Sequence, residues 1–153
     1  MENEQGPYIQ AAALCEQVIE ERSGVLSLIR IIDTIVHTEA RPDAPAEMPL
    51  VNYPLKLVLM LKSGRARGRH EFKVFPELPS GEVKSPFMQS VQMEGEERGA
   101  NTVISLMFSG AMEGLYWFNV HFDDTLLTRI PLRVRYNRVI TPLPPKPDTF
   151  PRN

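Results

Sequence analysis

Six arginines are the residues whose spacing most invites chemistry. Arg65, Arg67 and Arg69 stand at alternate positions in "SGRARGRH", with Lys62 just before them, and Arg129, Arg133 and Arg135 recur in "TRIPLRVR". Gathered on one surface, the two sets would form an anion-binding patch able to hold phosphates. Three features weigh against a nucleic-acid partner. The chain carries 17 Lys and Arg against 19 Asp and Glu, a net charge of −2, which is a poor electrostatic footprint for nucleic acid. The nearest aromatics, Phe72 and Tyr136, fall on faces assigned to the core, so no stacking platform interleaves with the arginines. Charged side chains on outer strands also have a plainer use, which is to deter edge-to-edge pairing.

Other reactive side chains are scattered. His37, His70 and His121 lie in separate segments, and no His-x-x-x-His or Cys-x-x-Cys pair offers a local metal motif. Cys15 is the only cysteine, so no intrachain disulfide can form, and its apolar, β-branched neighbourhood reads as packing. The serines lack a Gly-x-Ser-x-Gly elbow and no phosphate-cradling glycine loop occurs. The carboxylates of "EGEERG" (94–99) and of Asp123-Asp124 lack the spacing of a calcium loop and read as a solvated loop and a turn. The expectation is no catalytic residue, no metal site and no cofactor.

Behind these side chains stand strands. In "GLYWFNVHFDDTLLTRIPLRV" (114–134), Tyr116, Phe118, Val120 and Phe122 share one face. After the Asp123-Asp124 turn, Leu126, Thr128, Ile130, Leu132 and Val134 share one face, with Leu127, Arg129, Pro131, Arg133 and Arg135 on the other. This period of two predicts a β-hairpin with aromatics in the core and arginines in water. Asp suits the turn because its side chain bonds the neighbouring backbone. Pro131, on the outward set, points to an edge strand or a bulge. "LKLVLMLK" puts Leu55, Leu57, Leu59 and Leu61 on one face; "SGRARG" reads as a turn, and "RHEFKVFPEL" as the next strand, with His70, Phe72 and Val74 together. "FMQSVQM", a charged loop "EGEERGAN", and "TVISLMFSG" with Thr102, Ile104, Leu106 and Phe108 on one face follow. Residues 11–21 lean to a helix on propensity, with a hairpin to the strand-like 25–36 as the alternative. Fourteen prolines leave little room for long helices, and five of them crowd residues 141–153 into a tail without periodicity.

With strands placed this way, the chain resembles a family of small, uncharacterised bacterial proteins, a domain of unknown function. The likeness rests on "ALCEQVIEERSGVLSLIRIID" (13–33), on the hairpin at 114–134 and on "LPSGE" between them. The resemblance implies that 11–21 is a strand, and it brings no catalytic residues.

The reading is an all-β chain of 153 residues: an antiparallel β-sandwich of about seven or eight strands with a Pro-rich C-terminal tail. Its expected divisions are a flexible N-terminus (1–8), the sandwich domain (9–138) and the tail (139–153). "MENEQGPY" lacks the basic and apolar regions of a secretory signal, and no apolar run approaches the ~20 residues that span a bilayer. A cytoplasmic protein with no membrane partner is expected. A well-patterned core without assembled chemistry points to a non-enzymatic interaction or scaffolding module. It would act through a sheet face or edge on another protein or on a second copy of itself. Anion binding by Arg65, Arg67, Arg69, Arg129, Arg133 and Arg135 is the alternative, and an enzyme with a site assembled across strands is the third.

Overall fold

Side-chain alternation persists through almost the whole of residues 6–140, which a computed structural model describes. The strands are β1 (Tyr8–Glu20), β2 (Leu26–Ile32), β3 (Thr34–Glu39), β4 (Val51–Glu77), β5 (Phe87–Gly110), β6 (Gly114–Phe122) and β7 (Thr125–Arg138). No helix occurs among the described residues, and none is therefore long and apolar enough to cross a membrane. The expectations for the first residues and for the proline tail at 141–153 fall largely outside the described chain.

All seven strands belong to one open sheet in the order β2-β1-β4-β6-β7-β3, with β5 on the other side of β4. Every pairing is antiparallel except that of β3 with β7. Residues 11–21 are strand, as the family resemblance implied. Leu14 and Cys15 are tied to β4 on one side and to β2 on the other. Two ladders of backbone hydrogen bonds outweigh the helical preference of alanine and glutamate, which is only tenths of a kcal/mol per residue.

Two segments read as turns do not reverse the chain. "SGRARG" lies within β4, which runs unbroken for 27 residues, and "EGEERGAN" lies within the 24 residues of β5. Gly64 (φ 57°) on β4 is paired with Glu96 (φ 53°) on β5, Gly68 (φ 86°) with Met93, Gly95 (φ 91°) lies unpaired between them, and the register shifts between Lys62 and Gly64 and between Gly64 and Arg67. Glycines that would make a hairpin turn make bulges instead, so the paired strands bend together and the ladder resumes. Ser63 sits buried at this bend and donates to the Arg98 carbonyl at 2.9 Å. The strand expected at 25–36 is instead divided. The left-handed Arg30 (φ 54°) kinks β2, whose pairing with β1 continues through Ile32; the bend at Asp33 then ends that pairing, and β3 continues on the far edge beside β7.

One apolar cluster takes residues from both halves of β4: Leu55, Leu57, Leu59 and Leu61 before the bend, Phe72 and Val74 after it. Leu14, Leu106, Phe108, Tyr116, Phe118, Val120, Ile130, Leu132 and Val134 join it, with Ile35, Met48, Val51 and Met93. Tyr116, Phe118 and Val120 thus point inward, as the alternation requires. Leu126 does not: a register shift after Val120 sets it beside His121, and it is 50% exposed. Val58 and Cys15, on the opposite face of the first half, are also fully buried and lie outside the main cluster.

Candidate interaction surface

Both arginine sets face outward, and the sheet keeps them apart. Arg67 bridges the bend, with one guanidinium nitrogen 3.2 Å from Glu96 Oε1 and the other donating to the Glu94 carbonyl at 3.0 Å. Arg69 donates to Ser90 Oγ at 3.3 Å, and Arg65 lines a shallow cavity with Tyr8, Lys62 and Glu97. Arg129 lies on β7, where Nε donates to Asn119 Oδ1 at 2.7 Å, a second nitrogen meets Glu77 at 3.1 Å, and the guanidinium covers the Trp117 ring at 4.2 Å. Arg133 and Arg135 stand on the same strand opposite Thr34 and Val36. Phe75, Asn119 and Arg129 are level across β4, β6 and β7. Arg129 is therefore six residues along the sheet and two strands across from Arg69, roughly 20 Å and 10 Å at strand spacings.

Sequence spacing gave no hint of the Glu77–Asn119–Arg129–Trp117 group, since its members are brought together only by cross-strand register. Asn119 Nδ2 donates to Glu77 at 2.9 Å, and this hydrogen bond, helped by Arg129, holds the Glu77 carboxyl below its ordinary range. Each polar member already has a partner within the group.

The histidines lie on β3, β4 and β6 and do not meet. His37 stacks on Tyr136, and His121 packs edge-on against Phe75. His70 has the most specific setting: Nδ1 lies 2.8 Å from Asp123 Oδ2, Nε2 lies 2.8 Å from the Arg67 carbonyl, and the ring stacks on Phe122. The hydrogen bond to Asp123 raises the His70 pKa and lowers that of Asp123. Cys15 takes no part in this pair: it is buried on β1, and desolvation pushes its thiol pKa up. Among the described residues no three His, Cys, Asp or Glu side chains converge as metal ligands would.

What the sheet leaves open is backbone. β2 and β3 are edges of seven and six residues, and β2 carries the left-handed Arg30. Among the described residues β5 pairs with β4 alone, so its other side is unpaired along 24 residues. Glu94, Glu96, Glu97 and Arg98 and the kink at Gly95-Glu96 guard the bend itself, and the run before it that carries no charge, Phe87–Met93, is only seven residues long, as managed edges often are. The half after the bend, Gly99–Gly110, has no charged residue and no proline, and keeps an unbroken register with Val51–Lys62. Its outward side chains are Asn101, Val103, Ser105, Met107 and Ser109, with Val103 37% and Met107 60% exposed. At one end the Asn101 amide reaches the Gly24 carbonyl of the β1–β2 turn at 3.5 Å. Exposed edges in soluble proteins normally carry a charge, a proline or a bulge. This stretch has none.

Among known families, one described as a family of unknown function (DUF6941) matches residues 10–135. No curated protein and no solved structure matches the chain.

Proposed function

The chain belongs to the DUF6941 family of unknown function, and we propose that it is a non-enzymatic interaction module that receives a polypeptide strand along the open edge of β5. The observation that carries this reading is the unguarded run Gly99–Gly110. An added strand would satisfy the free backbone groups of that edge, and the outward side chains Val103 and Met107 would contribute apolar contact. The scattered histidines and the buried cysteine support a binding role over a catalytic one.

The sandwich architecture belongs to the same proposal. β4 and β5 bend together at Ser63–Gly68, and one cluster gathers inward residues from both sides of that bend. Folding the sheet across its own core as two layers buries those residues and turns the β5 edge outward.

The test is a paired capture. Val103→Lys places a charge beside the open edge and leaves the core cluster untouched. A partner, including the chain itself, that is held by the wild type and released by Val103→Lys supports strand addition. Partners held equally by both proteins refute it, as would turnover of a hydrolytic substrate that is lost on substituting Cys15 or a histidine.

A further inference from the structure

Resting on the strand-addition reading, we infer that the strand received by Gly99–Gly110 is the same segment of a second copy of this chain, paired antiparallel about a two-fold axis at Ser105. A two-fold interface is isologous: if residue i meets j, then j meets i. An edge can pair this way only if its pattern reads alike in both directions, and this one does. About Ser105, Val103 stands opposite Met107 and Asn101 opposite Ser109, so the outward face runs polar, apolar, polar, apolar, polar from either end. On the inward face Ile104 stands opposite Leu106, and Thr102 opposite Phe108. The half-exposed Val103 and Met107 would cover each other twice, once on each side of the axis.

Charge agrees with this register. No ionisable group lies in the Gly99–Gly110 segment of either copy, so no like charges are brought opposite one another within it. The acidic stretch Glu94–Glu97 falls beyond the end of the partner strand at Gly110. The nearest charge to the axis is Lys56, which donates to Ser105 Oγ at 2.6 Å from the next strand in. Its ammonium and that of the second copy, each held on its own Ser105 hydroxyl, would lie roughly 10 Å apart, just past the ~8 Å screening length at physiological salt, so their repulsion is largely screened. The other open edges lack this symmetry: β2 is kinked at Arg30, and β3 ends in His37 and Glu39.

The experiment uses residues on and off the axis. Ser105 would face its own copy at the 4.5–5.5 Å Cα separation of an antiparallel pair, which suits a disulfide. Cys15 is buried and contributes little background. Under a mild oxidant, Ser105→Cys is expected to give a covalent dimer, whereas Ser109→Cys, eight residues from its counterpart, is expected to stay monomeric. Sedimentation of the wild type should show a mass of two chains at micromolar concentration. Val103→Lys and Met107→Lys, both at exposed positions, should each weaken that dimer at least tenfold while keeping the wild-type far-ultraviolet dichroism. Cross-linking through Ser109→Cys but not Ser105→Cys overturns the axis. A wild type that remains monomeric at every concentration overturns self-pairing. In that case the edge itself is judged separately: loss of another captured protein in Val103→Lys retains strand addition with a different partner, and unchanged capture removes both readings.

Discussion

Stability should fall by about 1 kcal/mol between pH 5 and pH 8.5, and His70 should be the reason. The ring sits between two acceptors, the Asp123 carboxylate and the Arg67 carbonyl, each at 2.8 Å. Only the imidazolium has two N–H donors, so only the charged ring satisfies both. The pKa of His70 is accordingly raised in the folded protein. Its stabilisation is complete below the unfolded value of about 6.5 and is lost as pH rises through the folded one. Asp123 moves the other way: its pKa is lowered, so its contribution is present above about 3.9 and is lost as pH falls through the folded value. The pair is therefore strongest from roughly pH 4 to 6.5.

Buried charge-assisted hydrogen bonds contribute about 1.5–3 kcal/mol. The Asp123 side chain is 51% exposed and that of His70 is 23% exposed, so screening brings the figure toward the ~0.2–1 kcal/mol of exposed pairs. With urea m-values near 2 kcal/mol/M, 1 kcal/mol moves the unfolding midpoint by about 0.5 M. Urea unfolding of the wild type, His70→Gln and Asp123→Asn at both pH values decides the matter: the wild type should lose the 0.5 M and both variants should lose most of that dependence. An equal pH dependence in all three proteins refutes the reasoning.

Phe118→Ala, in the main cluster at 4% exposure, should cost about 3–5 kcal/mol in urea unfolding, while Leu126→Ala should cost less than about 1; equal losses would contradict the register shift that turns Leu126 outward. Cys15 should be unreactive toward a thiol reagent in the native protein and react fully in denaturant, because burial both hides the thiol and raises its pKa. Reaction of the native protein at the rate of a free thiol would contradict its placement. Gly114→Ala should lower the melting temperature by several degrees, since Gly114 has φ 130° and an added Cβ would lie 2.8 Å from Pro79 Cβ. An unchanged melting temperature would show that this turn relaxes freely.

Face assignment was the part most open to reading from the chain alone. The inward directions of Leu55–Leu61 and of Tyr116, Phe118 and Val120 follow from a period of two, a property of each strand by itself. Pro131 also behaves as its position implies, because β3 pairs with β7 only from Arg133 onward and β7 is an edge at the proline. Where a local signal supported two geometries, the rest of the chain decided. Gly64 and Gly68 suit a hairpin turn and a bulge equally well, and they became bulges because β4 and β5 resume their ladder beyond the bend. Residues 11–21 favour a helix in isolation and are strand because β2 and β4 pair with them.

The order of side chains along each strand thus determined an all-β protein with an apolar core, and the residues that would fill it. Which strands lie side by side was settled only in three dimensions, because pairing joins residues far apart in sequence and depends on every other strand. That is why the distance between the two arginine sets, the meeting of Arg129 with Trp117, and the unpaired backbone of Gly99–Gly110 came from the folded sheet alone.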